Sequence, residues 1–288
     1  MSDIVATSIA PAPEPSPLTD SARKSPQIRW YRTPIDPSLL RELSRRSDLL
    51  GAMQTLGYLG IYSTTAALSI YSSLHWRWFI TIAIVFAHGM VTAFMINGVH
   101  ELGHGTVFRA RWLNALFVRV LAFLGWINFQ MFGQSHGRHH AYTLHPPDDL
   151  EVVLPIKLAL RHFLEQGFVN PRGFIGAVRE TYRIARGRFK GDWELTLYPP
   201  DNLDRRRAAV RWARTILLGH TIICATSLAL GWWIVPIVIT LAPFYGGWLF
   251  FLCNNTQHIG LTDNVPDFSF GTYAKGEAAA CAATNSNT

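Results

Sequence analysis

Long uncharged apolar blocks alternate with polar, arginine-rich segments along this chain. The clearest blocks run over residues 49–74, 78–99, 216–230 and 234–252. At about 1.5 Å of rise per residue, roughly 20 helical residues cross the hydrocarbon core of a bilayer, so we interpret the four blocks as membrane-spanning helices. Short polar or aromatic loops join the first block to the second and the third to the fourth. The pattern therefore predicts an all-α integral membrane fold with four transmembrane helices in two hairpins.

The remaining segments are less apolar. A stretch over residues 112–132 is interrupted by Arg119, and we interpret it as a shorter or partly embedded helix. Residues 1–25 are rich in Pro, Ala and Ser and are expected to be disordered, whereas residues 28–43 place Trp and Tyr among arginines, as in a short interfacial segment. The predicted divisions are an N-terminal tail (1–47), a membrane domain (48–270) and an atypical, disordered C-terminal tail (271–288).

The charge distribution supports a membrane topology. The chain carries 26 Lys and Arg against 19 Asp and Glu, a net charge of +7. These basic residues lie beside apolar blocks, so we assign them to lipid headgroups and expect no nucleic-acid partner. Residues 134–214 hold 14 of them, whereas the two hairpin loops hold only Arg77. By the positive-inside tendency, the N-terminus and the long middle segment, which we expect to form a helical cap, are cytoplasmic.

Histidines supply the candidate chemistry, because the three cysteines lack metal or disulfide spacing. His100 and His104 flank Glu-Leu-Gly at the end of the second block, and positions i and i+4 share one helical face. His136 shares a face with both His139 and His140, but the last two point about 100° apart. The triplet can therefore supply ligands to two neighbouring metals.

A third group follows the last block, where Asn254 and His258 also share a face. We expect His258 to bind a metal directly and Asn254 to hold a metal-bound water. Imidazole suits iron and other transition metals, and neutral ligands leave iron with a high positive charge and open positions for dioxygen. The predicted metal ligands are His100, His104, His136, His139, His140 and His258, with Asn254 acting through water.

Other polar residues receive supporting roles. Glu101, Asp148 and Asp149 are candidates for orienting the imidazoles, with no spacing argument to choose among them. His88 and His220 lie within apolar blocks and are interpreted as groups that pack or form local hydrogen bonds.

These motifs resemble the membrane-bound fatty acid desaturase family over about residues 49–270. His100-Glu-Leu-Gly-His104 is similar to its first histidine box, His136-Gly-Arg-His139-His140 to its second, and residues 255–261 with Asp267-Phe268 to the stretch after its last span. The resemblance implies two non-haem irons, O2 as co-substrate and a cytoplasmic active site, in the endoplasmic reticulum membrane if the source is eukaryotic. It also implies a fatty acyl chain or apolar specialised metabolite as substrate, to be desaturated or hydroxylated.

The resemblance implies a separate electron donor such as cytochrome b5 or ferredoxin, since the sequence shows no flavin or haem motif. The family's third histidine box is expected some tens of residues further on, but no histidine follows His258. From Gly271 the residues are small and polar, as in a truncated reading frame, and one metal would then lack ligands. A non-catalytic desaturase-like remnant is therefore one alternative.

A second alternative is an intramembrane zinc protease. His100-Glu101-Leu102-Gly103-His104 matches the HExxH motif, in which the glutamate is the general base. A protease of this kind needs a single metal, and it leaves the histidine triplet after residue 135 unexplained.

Overall fold

The protein was examined as a computed structural model, which describes residue 28 and residues 34–154, 159–256, 261 and 263–264. Within these residues the regular elements are helical. The expectations for residues 1–25, for the C-terminal tail (271–288), for His258 and for Asp267-Phe268 fall outside the described residues, whereas α1 lies within the predicted interfacial segment over residues 28–43. The helices are α1 (Pro37–Leu43), α2 (Asp48–His75), α3 (Trp78–Ala93), α4 (Met95–Gly103), α5 (Arg111–Leu124), α6 (Phe129–Tyr142), α7 (Leu160–Gly167), α8 (Pro171–Ala185), α9 (Gly191–Leu197), α10 (Leu203–Ala229), α11 (Ile234–Ile239) and α12 (Trp248–Thr256).

Helices α2 and α3 form the first predicted hairpin. The Ser47 hydroxyl caps α2 by accepting a hydrogen bond from the Leu50 amide at 3.3 Å. The packed face of α2 carries hydroxyl groups, including the buried Ser69 and Ser72, while large apolar side chains such as Met53 are exposed. This distribution is the reverse of that in a water-soluble helix, and small or hydroxylated residues at helix contacts are typical of helices in lipid.

Among the described residues, one helical stretch is long and apolar enough to cross a membrane. It spans Trp78–Gly103, that is, α3 continued through α4. The pair α5 and α6 qualifies only if it is counted as one broken span, because the two helices are bent by 108°. Helices α2 and α10 are 28 and 27 residues long, but hydroxyl groups in α2 and arginines in α10 lower their hydropathy. The prediction of four spans therefore remains a prediction.

The last apolar block is not the continuous helix that its hydropathy predicts. Helix α11 ends at Ile239, a 3-10 turn follows at Ala242–Phe244, and α12 begins at Trp248. Pro243 has no amide hydrogen for a helical bond, which favours the break. Gly246 has φ of +70°, and a Cβ there would lie 2.5 Å from the Phe86 carbonyl oxygen. Only glycine combines this backbone conformation with so close an approach to α3.

The stretch over residues 112–132 also divides, at a turn between α5 and α6. Trp126 adopts φ of +57° in this turn. Its indole stacks on the His220 ring of α10 at 4.4 Å and donates a hydrogen bond to the Thr240 carbonyl at 2.9 Å. His220 is buried, and its ring nitrogens lie 3.0 Å from the Phe123 carbonyl oxygen and 3.1 Å from the Thr240 hydroxyl. These contacts confirm that His220 has a packing and hydrogen-bonding role.

His88 is satisfied in the same way. Its ring nitrogens lie 2.8 Å from the Thr65 hydroxyl and 2.8 Å from the Val238 carbonyl oxygen. The His88 side chain is fully buried between α2, which carries Thr65, and α11, which carries Val238. The interpretation of His88 as a packing residue is therefore confirmed.

Three further hydrogen bonds set the direction in which α6 leaves the turn. The Asn128 side chain caps α6 by accepting from the Met131 amide at 3.4 Å, and it donates to the Ala209 carbonyl of α10 at 3.0 Å. The Trp212 indole of α10 donates to the Ile127 carbonyl at 2.9 Å. Helix α10 therefore fixes the start of α6.

We predict that Asn128→Ala destabilises the protein about twice as much as Asn202→Ala. Both asparagines cap a helix, a contact that contributes about 1 kcal/mol. Asn128 also makes the hydrogen bond to α10, which contributes about 1 kcal/mol more. Thermal unfolding in detergent measures the difference, and equal shifts of the midpoint for the two variants would contradict this account of the turn.

Candidate metal centre

The first histidine pair lies at the end of α4. Val99 and Leu102 of this helix are buried in a core cluster with Leu121 of α5. Because these apolar side chains fix the rotation of α4, His100 and His104 project from the opposite side. The His104 amide closes the helix by donating to the His100 carbonyl at 3.1 Å.

The second pair lies on α6, one helical turn apart. His136 stacks on the Phe132 ring at 5.1 Å with an interplanar angle of 8°. His136 and His140 share a face, and their Nε2 atoms lie 2.9 Å apart. The i, i+4 spacing read from the sequence is therefore realised in both pairs.

The two pairs converge on one point. Nε2 of His140 lies 3.2 Å from Nε2 of His104, which lies 3.4 Å from Nε2 of His100. The candidate ligand atoms of His100, His104, His136 and His140 all lie within 4.8 Å of one another. A tetrahedron of nitrogens around one ion requires separations of this order, given metal–nitrogen distances of about 2.0–2.1 Å.

His139 points away from this cluster, as its position next to His140 predicts. It is nearly buried, and its Nδ1 lies 2.8 Å from Oδ2 of Asp149. Asn254 of α12 lines a cavity of about 500 Å³ that is also bordered by His139 and by three of the four cluster histidines, His100, His136 and His140. The structure thus brings Asn254 to the same cavity, whereas His258 lies outside the described residues.

Carboxylates bind the outer nitrogens of two cluster histidines. Oε1 of Glu101 lies 2.7 Å from Nδ1 of His100, and Oε1 of Glu151 lies 2.7 Å from Nδ1 of His136. An ionised carboxylate can only accept, so each Nδ1 carries the proton and a neutral ring keeps its Nε2 lone pair for a metal.

Glu151 was not singled out by the sequence. It follows two aspartates in a turn after the second histidine box, and nothing in its spacing to His136 selects it. Asp148, a sequence candidate, accepts a hydrogen bond from Arg138 at 2.8 Å. The turn reverses the direction of the chain, so that the Glu151 carboxylate reaches His136 on α6. This contact depends on the conformation of the loop and not on spacing in the sequence.

Asp149 holds this loop in place. Its fully buried carboxylate accepts from the Leu144 amide at 2.8 Å and from the Glu151 amide at 2.9 Å, in addition to its contact with His139. Leu144 adopts φ of +59°, a conformation that leucine rarely takes. The Asp149 carboxylate therefore connects His139 of the second histidine box to Leu144, the residue in the rare backbone conformation at the start of the loop.

Electrostatics favours ionised Asp149 and Glu151 and a neutral His104 ring. For His139, burial would lower the pKa, but the hydrogen bond and charge of Asp149 with the charge of Glu151 together raise it. Burial is the largest single influence and would raise the pKa of Asp149 and Glu151. Several hydrogen bonds and charge interactions, foremost those from His139 to Asp149 and from His136 to Glu151, together outweigh burial, so that both pKa values are lowered. Burial and the neighbouring rings of His100 and His136 lower the pKa of His104. Neutral imidazole is the form that binds a metal.

The donor set fits a transition metal. With Nδ1 of His100 and His136 donating to carboxylates, their Nε2 lone pairs face the same small volume as the rings of His104 and His140. When all four Nε2 atoms are unprotonated, their lone pairs repel one another unless a cation lies between them. Without a cation, an Nε2–H of His104 or His140 can donate to a neighbouring ring instead. Four imidazole nitrogens suit iron, zinc, copper or nickel, so geometry alone does not select the metal.

We predict that His104→Ala weakens metal binding more than about 100-fold, since loss of an orienting group alone costs about 10–100-fold. His162→Ala is the matched control, because His162 is exposed on α7 away from the cluster. Metal content per chain after dialysis against a graded chelator measures both. Equal retention by the two variants would exclude the cluster as the metal site.

We predict that Glu151→Gln weakens metal binding about tenfold, because the amide no longer selects the His136 tautomer that leaves Nε2 free. Glu165→Gln is the control, since Glu165 is an exposed partner of Arg161 and Arg172. The same chelator titration applies. If the two variants retain metal equally, Glu151 has no orienting role.

Comparison with known proteins agrees with this site. Residues 74–286, about three quarters of the chain, match the model of the fatty acid desaturase family. No curated protein matches the chain, and no solved structure does. The matched range contains both histidine pairs, the loop that carries Glu151, and α10. This chain belongs to the fatty acid desaturase family.

Proposed function

We propose that this protein is a membrane-bound, O2-dependent oxidoreductase that desaturates or hydroxylates a fatty acyl chain or an apolar specialised metabolite. The convergence of four imidazoles, each pair at the spacing of a histidine box, carries the proposal. Membership of the fatty acid desaturase family supports oxidoreductase chemistry and a lipid substrate.

His100, His104, His136 and His140 would hold one iron. His139, with His258 and with Asn254 acting through water, is proposed to serve a second, beside the cavity of about 500 Å³. When bound, non-haem iron supplies the dioxygen and one-electron chemistry needed to break an unactivated C–H bond. The two electrons would come from a separate donor such as cytochrome b5 or ferredoxin.

The protein's own residues prepare this chemistry. Glu101 and Glu151 hold the tautomers of His100 and His136, and Asp149 holds His139. Phe132 covers one face of the His136 ring and limits the approach of water from that side. These contacts fix the orientation of the imidazoles before a metal arrives, which reduces the cost of reorganisation during turnover.

The proposed location is a membrane whose cytoplasmic face carries the site, the endoplasmic reticulum in a eukaryote. The apolar outward face of α2 and the apolar stretch Trp78–Gly103 support this location. The histidine cluster begins where that stretch ends. An apolar substrate could therefore reach the histidines from the bilayer, while an electron donor approaches from water.

The position of Glu101 favours an oxygenase over a zinc protease. Its carboxylate binds the outer nitrogen of His100, on the side of the ring away from the other three Nε2 atoms. A general base must instead reach a water in an open metal position. Four converging imidazoles also exceed the ligand set of a catalytic zinc site, which has three protein ligands.

The proposed reaction can be tested in lipid nanodiscs with ferrous iron, a reduced electron donor and 18O-labelled O2. Desaturation consumes O2, two electrons and two protons, removes two hydrogens from the substrate and yields two waters. Hydroxylation instead places one labelled oxygen in the product. Mass spectrometry of the lipids is expected to show one of these products for the wild type and for His162→Ala, and at most about 1% of it for His136→Ala.

Two results would overturn the proposal. Absence of both products from the iron-loaded wild type, over a panel of acyl lipids and free fatty acids, would leave the non-catalytic alternative. Loss of a proteolytic activity in Glu101→Gln, with zinc content unchanged, would instead establish the protease.

A further inference from the structure

A second cavity borders the histidine cluster, and the described residues that line it include none from the acidic loop. Its volume is about 660 Å³, within the range of about 300–1,000 Å³ that small-molecule pockets occupy. His100, His104 and His136 form part of its wall. The remaining wall is largely apolar and includes Val118 of α5 and Phe129 of α6. An apolar chain in this cavity would lie directly against the imidazoles.

The charges around this cavity have one sign. Arg46, Arg111 and Arg119 line it, and its described lining includes no carboxylate. The cavity of about 500 Å³ that also borders the histidines is lined by Glu101 and Glu151 instead. An anionic group would therefore be attracted to the first cavity and repelled from the second.

Two of the three arginines are available to a ligand. The Arg119 guanidinium lies 5.3 Å from the centroid of the Phe129 ring and hydrogen-bonds to the Ala115 carbonyl of its own helix, so it forms part of the wall. Arg46 and Arg111 are exposed, and neither forms an ion pair within the described part of the chain.

Arg46 and Arg111 are also held near each other. The Asp48 carboxylate, two residues after Arg46, accepts a hydrogen bond from the Ala110 amide at 2.9 Å, one residue before Arg111. This contact ties the start of α2 to the start of α5. It brings two cations to one part of the cavity rim, and guanidinium groups are well suited to carboxylates and phosphates.

We propose that this cavity is the substrate site and that Arg46 and Arg111 bind the carboxylate or phosphate of an anionic amphiphile. The apolar chain of that amphiphile lies against Val118 and Phe129, beside the histidines. This inference rests on the proposed function and narrows its substrate to molecules with an anionic head, as opposed to neutral hydrocarbons or alcohols.

Binding to the full-length protein in phosphatidylcholine nanodiscs tests the proposal without metal, O2 or an electron donor. The probe is a fluorescent fatty acid, displaced by palmitate, hexadecyl phosphate or hexadecanol, which share one chain length. We expect the two anions to displace it at concentrations at least tenfold lower than the alcohol does. Arg46→Gln and Arg111→Gln should each raise about tenfold the concentration of palmitate or hexadecyl phosphate that displaces the probe. Neither substitution should change the concentration of hexadecanol that does so.

Arg109→Gln is the matched control, because Arg109 is exposed two residues before Arg111 and does not line the cavity. Arg109→Gln should change the displacing concentration of each amphiphile less than twofold. Equal displacement by acid and alcohol, or an Arg109→Gln effect as large as that of Arg111→Gln, would overturn the proposal. Lysophosphatidic acid with the same chain length distinguishes the two possible head groups. If it displaces the probe more strongly than palmitate does, the site binds a lipid phosphate. If it displaces the probe more weakly, the site binds a free carboxylate.

Failure of the two proposals is distinguishable. Arginine-dependent binding without oxidation of any bound amphiphile would overturn the proposed oxidation and leave the anion site in place. Oxidation that proceeds equally in Arg111→Gln and the wild type, with no preference for anions in binding, would overturn the anion site alone.

Discussion

The sharp turn between α5 and α6 is the constraint on which the rest of the site depends. The two histidine pairs are 32 residues apart at their nearest members, His104 and His136, and lie on different helices. They meet because α6 leaves α5 at 108° and folds back toward the end of α4. Helix α10 holds this angle through contacts at Asn128, Trp126 and Ile127, so residues far from the histidines set the separation of the ligand atoms.

The cluster itself is an arrangement that the polypeptide must stabilise against repulsion. In the tautomers that bind a metal, all four Nε2 lone pairs converge and repel one another, and the proximity of the rings is maintained by packing and by carboxylates at the outer nitrogens of His100 and His136. Phe132 stacks on His136, and Glu151 fixes its outer nitrogen. A cation in the centre would relieve the repulsion, so metal binding and the folded arrangement of α4 and α6 are expected to stabilise each other.

The two cavities beside the cluster are lined by charges of opposite sign. Arginines lie around the cavity beside α5, and glutamates lie around the cavity beside the acidic loop. The first favours an anionic amphiphile with its chain against the imidazoles, while the second offers groups that accept protons and bind water. Substrate and aqueous partners would then enter by different cavities, which keeps the C–H bond in an apolar environment and the carboxylates in a polar one.

The sequence by itself determined the helical class, the bounds of α2 and the start of α3, and the face shared by each histidine pair, because all of these follow from hydropathy and the 3.6-residue period. It did not determine the break after Ile239, where Pro243 and Gly246 meet α3, or the role of Glu151. The convergence of the two pairs was implied by family resemblance, but its geometry was decided by the tertiary structure. Local periodicity specifies which residues share a helix face, whereas loop reversals and the angle between α5 and α6 depend on contacts with segments distant in the chain.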